Sequence, residues 1–311
     1  MGSSLTPTSK NHPKNGASLP GGGPKPTYDE VVTETVDITD PRDAYEFFRR
    51  RRDEMVKLPQ GNLALVLTQW FTGVPEAFET VWGIPGEWAL APLTESGLLV
   101  RASSEDGIFV DEELVDGIVK VRAKNSVQPS AVRFSDEKSG FVIANEEGHF
   151  ALRVWDPNSE ELANFGQIDA YDYNPDWVVQ ATFEPIPGGR AVGVDHLKDE
   201  GSTRDKIIPA DITFSVDGVD YSVAAFQEGR ALLLVFSDAT SGDETYSVGR
   251  FLMCAPNSDG SITLDFNRAY LPPCAFSYHF NCPMPPPQNR FPFAVRAGEK
   301  QVLNKLGELL H

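Results

Sequence analysis

The stretch that decides the fold is residues 236–300, FSDATSGDETYSVGRFLMCAPNSDGSITLDFNRAYLPPCAFSYHFNCPMPPPQNRFPFAVRAGEK. Within it, Tyr246–Cys254 and Ser261–Asn267 have the composition of strands. Between them, Asp259-Gly260 is a strong signal for a two-residue hairpin turn. The stretch therefore predicts an antiparallel hairpin in the last quarter of the chain, which we call the C-terminal hairpin.

The two faces of this hairpin are expected to differ in polarity. A two-residue turn places Met253 opposite Phe266 on a face that is wholly apolar. The other face places Arg250 diagonally across from Asn267 and carries Asp265 as well. Charged groups on an otherwise apolar face predict either a structural ion pair that anchors the following loop, which is the more common case, or a ligand site.

After the hairpin, a proline-rich segment covers residues 268–290. Proline donates no backbone hydrogen bond, so this segment cannot be a central strand. We expect it to run extended across a sheet edge or the mouth of a barrel, and to lead into a last strand at Phe291–Arg296. Residues Gln301–His311 are expected to add a short C-terminal helix.

The chain before this stretch predicts a mainly β protein. Residues 1–40 are rich in Gly, Pro and Ser and are expected to form a disordered tail. Asp40 and Pro41 have the signature of a helix N-cap and first helical position, which predicts one N-terminal helix over 44–57. From residue 62 onward, short strands and turn residues recur about every ten residues, which indicates antiparallel β-sandwich or barrel-like units.

The clearest hairpin lies in the second half of the chain. Asp217-Gly218 predicts a two-residue turn that pairs Val216 with Val219. With that turn, every apolar residue of the two strands falls on the same face, which supports the register.

The predicted strands group into two units. A second hairpin, 141–145 with 149–155, ends the first unit near residue 157, and residues 211–267 predict a five-strand antiparallel meander in the second. The two units could pack as one compact domain. We therefore predict a disordered tail at 1–40, a helix plus β unit at 41–157, and a β-meander or barrel-like unit at 158–311.

Composition and charge argue against several classes of protein. The 311 residues carry a net charge of −18. A protein that neutralises nucleic-acid phosphates is basic, so we expect no nucleic-acid partner, and binding to an anionic membrane surface is disfavoured for the same reason. No window approaches the roughly 18 apolar residues of a membrane helix. Three cysteines without a CxxC pair or a signal-peptide pattern predict reduced thiols and a cytoplasmic location, and the oligomeric state is left open.

Several motifs of the stretch resemble a known family. The strings FSDATSGDETYSVGR, LDFNRAYLPPCAF, CPMPPPQNR and AGEK are similar, in this order, to the bacterial and archaeal family catalogued as domain of unknown function 1684. The upstream strings FRRRRDEMVKLPQGNLALVLTQWF, LRVWDPNSEELANF and PDWVVQATFEP resemble the same family, so the resemblance covers roughly residues 45–300. Leu271 stands where that family usually has Asn, and His279 stands in a spacer that usually has no histidine. The family has no assigned function, so the resemblance implies a fold unit and a place to search for a site.

Two kinds of cysteine chemistry can be weighed. Cys274, His279 and Cys282 have a C-x4-H-x2-C spacing, but a structural zinc site needs a fourth ligand and none is evident. Cys274 could instead be a nucleophile with His149, His196 or His279 as its base, although a buried structural thiol is the commoner case. We therefore predict no metal and no cofactor.

A carboxylate pair is the third possibility. Asp265 and Glu299 could approach a shared pocket with Arg250 or Arg290 between them, which acid–base chemistry would require. The spacing in the sequence does not fix their separation in space.

The sequence favours a protein that binds a small molecule in a pocket under the 236–300 stretch, and the arginines would suit an anionic group. One alternative is a hydrolase that uses Asp265 or Cys274 in the same pocket. The other is a structural or interaction module without a ligand, so whether the protein is an enzyme stays open. The residues expected to line the pocket are Tyr246, Arg250, Asp265, Asn267, Tyr270, Cys274, Asn289 and Arg290.

Overall fold

The computed structural model describes residues 39–93, 95–145, 147–199 and 203–311. The predicted disordered tail, apart from its last two residues, lies outside the described residues. In these ranges the helices are α1 (Pro41–Val56) and α2 (Glu160–Asn164). The strands are β1 (Leu65–Phe71), β2 (Glu79–Thr80), β3 (Glu87–Leu90), β4 (Leu98–Ala102), β5 (Phe109–Val110), β6 (Glu113–Leu114), β7 (Gly117–Val121), β8 (Val132–Arg133), β9 (Ser139–Ala144), β10 (Phe150–Trp155), β11 (Phe165–Ala170), β12 (Val178–Asp195), β13 (Thr203–Val216), β14 (Val219–Val223), β15 (Ala225–Glu228), β16 (Ala231–Phe236), β17 (Arg250–Cys254), β18 (Ser261–Asp265) and β19 (Glu299–Asn304).

Helix α1 confirms the predicted N-terminal helix. The carboxylate of Asp40 accepts a hydrogen bond from the backbone amide of Arg42 at 2.7 Å, and Pro41 occupies the first turn, where a missing N–H costs nothing. No helix in the described part of the chain is long and apolar enough to cross a membrane.

Two antiparallel sheets form the first half of the molecule. Their strand orders are β1-β10-β9-β8-β5-β6 and β2-β3-β4-β7. The sheets share one hydrophobic cluster, in which Trp88 and Val100 of the second sheet pack with Val142 and Leu152 of the first. The alternate residues Leu98, Val100 and Ala102 of β4 are buried, so one face of this strand points into the shared cluster.

Three antiparallel sheets form the second half, with the orders β14-β13-β12-β18, β15-β16-β17 and β11-β19. The first two pack their apolar faces together: Ile212 and Leu264 of one sheet share a cluster with Leu234 and Leu252 of the other. The predicted fold class, mainly β with antiparallel sheets, is therefore confirmed.

The hairpin around Asp217-Gly218 is confirmed in its predicted register, with Val216 opposite Val219. Both turn residues have positive φ, 52° and 78°, as the favoured two-residue hairpin turn requires. The earlier hairpin is confirmed too, because β9 and β10 pair antiparallel along their whole length.

The predicted C-terminal hairpin is wrong. Strand β17 pairs with β16, and β18 pairs with β12, so the two strands belong to different sheets. The predicted faces fail as well, because Leu252 packs with Leu264 in the core while Met253 is 39% exposed. The connection between β17 and β18 carries the chain from one sheet to the facing sheet, so the parity rule of a hairpin does not apply there.

The five-strand meander predicted over 211–267 is wrong for the same reason. Strands β13 and β14 lie in one sheet, β15 to β17 form the other, and β18 returns to the first sheet beside β12. The chain therefore changes sheet twice in a region where the sequence predicts one continuous sheet.

The last two predicted elements are also wrong. Residues 291–296 form no strand: the Phe291 amide donates to the Ser237 carbonyl at 2.8 Å, but Val295 donates to the Asp238 carboxylate at 3.3 Å and accepts from Arg250 at 2.8 Å. Residues 301–311 form no helix, because the first of them belong to β19, which pairs with β11.

The division near residue 157 stays a prediction. Each side of it contains a hydrophobic cluster of its own. Helix α1 precedes the first β unit in the sequence but contacts the second half: the hydroxyl of Tyr45 donates to the carbonyl of Tyr171 at 2.5 Å, and Arg49 donates to that of Ile168 at 2.5 Å.

Candidate functional site

Arg250 lies at the centre of the 236–300 stretch with its side chain completely buried. Its guanidinium forms an ion pair with Asp238 at 2.5 Å and donates to the carbonyls of Val295, at 2.8 Å, and Ala297. Burial lowers the pKa of Arg250, and the neighbouring Asp238 opposes that effect. Arg250 therefore forms a structural ion pair, but its partner is Asp238 and not Asp265.

A second buried ionic cluster lies beside the first. The carboxylate of Glu299 accepts from Arg52 Nε at 2.8 Å and from the Leu271 amide at 2.7 Å, and Arg49 approaches it to 3.2 Å. The Arg52 guanidinium lies 4.8 Å from the ring centre of Tyr270, a predicted site residue. Glu299 thus joins helix α1 to the last strand and to the proline-rich segment.

Two predicted amides are used entirely by the fold. Asn289 donates to the carbonyls of Ala224 and Val235 at 2.8 and 2.7 Å and accepts from the Ala224 amide at 2.9 Å. Asn267 exchanges two hydrogen bonds of 2.8 and 2.9 Å with the backbone of Asn174. Both amides are completely buried, so they fix loops across the sheets.

The other predicted site residues are dispersed. Asp265 caps its own turn by accepting from the Asn267 amide at 3.1 Å, and its partners differ from those of Glu299, with which it was expected to share a pocket. The Tyr246 hydroxyl donates to the Cys274 carbonyl at 3.1 Å, and the exposed Arg290 donates to a backbone carbonyl. That the eight residues bind a ligand together stays a prediction, and the structure buries four of them, Arg250, Asn267, Cys274 and Asn289.

The cysteines occupy two places. Cys274 and Cys282 lie side by side, with the Cys274 amide 3.3 Å from the sulfur of Cys282, and Cys254 is buried in a different cluster. Within the described ranges, no three His, Cys, Asp or Glu side chains form a group that could hold a metal ion.

A concave surface lies elsewhere, where the β9–β10 hairpin faces Asp199 and residues 203–205. We call it the polar cleft. Its main part encloses about 240 Å³, and an adjoining part of about 270 Å³ continues along the start of β13. The lining residues are Trp70, Thr72, Asn145, Glu147, His149, Asp199, Thr203, Arg204, Asp205 and Asn281.

Asp199 is the best-anchored group of the polar cleft. One carboxylate oxygen accepts from Arg204 at 2.7 Å and 2.6 Å through two guanidinium nitrogens, and the other accepts from Asn281 at 2.8 Å. Asn281 also accepts from the backbone amide of Lys198 at 2.8 Å. The proline-rich segment therefore supplies one wall of the cleft and fixes the carboxylate there.

His196 lies directly behind this carboxylate. Its side chain is only 8% exposed, and its Nδ1 has no hydrogen-bond partner although it lies 4.0 Å from the Asp199 carboxylate. Burial lowers the pKa of this histidine, with a further contribution from Arg204. His196 therefore packs behind the Asp199 wall and is not among the residues that line the polar cleft.

The opposite wall comes from the turn between β9 and β10. Asn145 holds this turn by accepting from the His149 amide at 2.8 Å, and its side-chain amide lies 3.3 Å from His149 Nδ1. The Glu147 carboxylate approaches the same ring nitrogen to 3.3 Å. Trp70, near the end of β1, adds an aromatic side chain.

Sequence reasoning named His149 and His196 only as candidate bases for Cys274 and missed the rest of the polar cleft. Its residues come from four segments, near 70, 145, 200 and 281, and no local spacing connects them. The one available signal was the group of polar residues at the two hairpin ends, which resembles ordinary turn chemistry.

Comparisons with known proteins give a family and no activity. No curated protein matches this chain. The solution NMR structure of an uncharacterized protein from Haloarcula marismortui is 37% identical to it, over 44% of this chain and 77% of that one, with a TM-score of 0.36. The profile of the family described as "Protein of unknown function (DUF1684)" matches residues 163–300. The chain therefore belongs to this family, the one that its C-terminal motifs resemble.

Proposed function

We propose that the protein binds a small polar molecule in the polar cleft. The observation that carries this proposal is the Asp199 carboxylate, which is held on both oxygens by Arg204 and Asn281 at the surface of a concave site. A group fixed in this way is preorganised, so it loses little freedom when a ligand binds.

The lining favours a neutral, hydroxyl-rich ligand. Carboxylates of Glu147, Asp199 and Asp205 outnumber the guanidinium of Arg204, which disfavours an anion. Asn and Thr side chains offer both donors and acceptors, as hydroxyl groups require, and Trp70 offers an apolar surface for the other side of the ligand. The anionic ligand class rested on Arg250 and Arg290, and Arg250 is engaged by Asp238 and backbone carbonyls.

Another cleft, of about 310 Å³, lies between α1 and residues 167–173, but it is a weaker candidate. Its most buried cation, Arg49, is already engaged by Glu299 and by the Ile168 carbonyl.

A thermal-unfolding screen against sugars, polyols, amines and carboxylates tests the proposal. A ligand that binds only the folded state stabilises it by about 2.7 kcal/mol at a hundredfold excess over its dissociation constant. We expect a neutral polyhydroxylated compound to raise the unfolding midpoint of the wild-type protein, and to lose this effect in Asp199→Asn and Trp70→Ala.

Asp211→Asn is the matched control, because Asp211 also pairs with an arginine, Arg190 at 2.6 Å, but lies outside the polar cleft. A compound that stabilises all three variants as well as the wild type would place its site elsewhere. A screen in which no compound shifts the midpoint would remove the proposal and favour a structural or interaction module.

Hydrolysis is the second candidate, because His149, Glu147 and Asp199 line one cleft. Asp265 and Cys274, which the sequence suggested for hydrolysis, do not line the polar cleft. His149, Glu147 and Asp199 are therefore the candidate catalytic groups. Release of product from a glycoside or ester of the stabilising compound, lost in His149→Gln, would distinguish an enzyme from a binding protein.

We also propose a cytoplasmic location. It is supported by the three unpaired thiols, which are typical of proteins in a reducing compartment.

A further inference from the structure

Two of the three cysteines in this chain lie in contact, although seven residues separate them in the sequence. Cys274 sits in a short 3-10 turn after two prolines, and Cys282 begins the run that returns beside His196. The Cys274 amide donates to the sulfur of Cys282 at 3.3 Å. The fold therefore brings two thiols together at the two ends of one loop, residues 275–281.

The surroundings of the two thiols differ. A hydrogen bond with Cys282 lowers the pKa of the Cys274 thiol and raises that of Cys282, which burial raises further. The Tyr246 hydroxyl holds the Cys274 backbone in place. Cys274 is thus the better nucleophile, and Cys282 lies beside it, where it can attack the Cys274 sulfur in a second step.

We propose that Cys274 and Cys282 are a reversible dithiol–disulfide pair whose oxidant is a low-molecular-weight disulfide such as oxidised glutathione. The Cys274 thiolate attacks one sulfur of this disulfide and releases the first thiolate. The Cys282 thiolate, having given its proton to that leaving group, then attacks the Cys274 sulfur and releases the second thiolate, which takes up the proton lost from Cys274. Two electrons pass to the small disulfide, which leaves as two thiols, and one S–S bond remains in the protein.

Access to the pair requires only a local opening. The two side chains are 1% and 4% exposed, but the loop between them carries Tyr278 at 62% exposure and contains no strand. Phe276 and Ser277 of the same loop are completely buried, and Ser277 donates to the Leu65 carbonyl at 2.7 Å, so the opening must release these two residues and the reaction is slow.

The experiment counts thiols. The purified full chain is equilibrated with oxidised glutathione, denatured in acid, and alkylated. We expect alkylation of the wild-type protein to fall from three cysteines to one, with a peptide map that links Cys274 to Cys282. A thiol reductant should restore all three.

Cys254→Ser is the matched control, because Cys254 is buried in a different cluster and bonds only to the Leu232 carbonyl at 3.7 Å. This variant should fall from two alkylated cysteines to none, whereas Cys274→Ser and Cys282→Ser should form no internal link. Three alkylated cysteines in the equilibrated wild type, a link to Cys254, or mixed disulfides with glutathione alone would each overturn the proposal. The wild-type count needs no variant to fold, so the proposal remains testable if the variants aggregate.

Discussion

The interior of the 236–300 stretch and the polar cleft are both rich in charge, but they use it differently. In the interior, Arg250 and Glu299 are completely buried, and their partners are other side chains and backbone groups of the protein. In the polar cleft, Asp199 and Arg204 pair at a concave surface that solvent reaches. The comparison teaches that the most distinctive part of the sequence stabilises the fold, whereas the groups placed to meet a ligand lie in less distinctive segments.

The two regions differ in what the removal of a charge leaves behind. A buried charge that loses its partner remains desolvated and uncompensated, whereas an exposed charge regains water. The comparison can therefore be tested through stability.

Arg250→Met should give the largest effect. It leaves the Asp238 carboxylate and the carbonyls of Val295 and Ala297 buried without their donor. We expect the free energy of unfolding, measured with urea, to fall by about 3–5 kcal/mol.

Arg101→Met is the control for this measurement, because Arg101 pairs with Glu87 at the surface, where both side chains are more than 40% exposed. Its loss should lower the free energy of unfolding by at most about 1 kcal/mol. Equal losses in the two variants would contradict the division into a sealed interior and an open surface.

Glu299→Gln should give the next effect. The amide can still accept from Leu271, but it cannot balance the two guanidiniums of Arg49 and Arg52. We expect a loss of about 2–4 kcal/mol in urea-induced unfolding.

The cause of that loss can be isolated with a second substitution. Arg49→Met added to Glu299→Gln removes one of the two uncompensated charges, so the double variant should lose less than the sum of the single variants. Additive losses would show that the charges in this cluster are not coupled.

His196 should give the smallest effect, seen only as a change with pH. Burial lowers its pKa below the ordinary value of 6.5, so the unfolded chain binds the proton more tightly than the folded protein. The contribution of neutral His196 to stability is therefore fully present above pH 6.5. It is lost as the pH falls from 6.5 toward the lowered pKa of the folded protein. His196→Gln should flatten this decline in unfolding curves measured on both sides of pH 6.5, and an unchanged slope would contradict the assignment.

Local sequence signals predicted the elements whose partners are close along the chain. The Asp40 cap predicted α1, and Asp217-Gly218 predicted its hairpin with the correct register. Asp259-Gly260 led to the wrong prediction of a hairpin between β17 and β18. A turn signal indicates that the chain reverses, but not whether it returns within one sheet or crosses to another. The correct partners of β17 and β18 depend on packing between sheets, which no local pattern encodes.

The candidate site shows the same limit. The sequence identified Arg250 as a charged residue on an otherwise apolar strand face, and a structural ion pair is the more common role of such a residue. The partner of Arg250, Asp238, also caps its own turn, by accepting from the Thr240 amide at 2.7 Å. The polar cleft depends on how the two hairpin ends meet, so its residues could not be grouped before the fold was known.

The contact between Arg52 and Glu299 joins residues 247 positions apart, and this has a consequence for synthesis of the protein. Ribosomes add about 5–20 residues per second, so helix α1 emerges roughly 10–50 s before the carboxylate that fixes it. During that interval α1 can reach the carbonyls of Ile168 and Tyr171 but not Glu299, and β11 still lacks its partner strand β19. The second half therefore reaches its final arrangement only after nearly the whole chain has been translated, and a nascent chain stalled before Glu299 would leave Arg52 of α1 without its carboxylate partner.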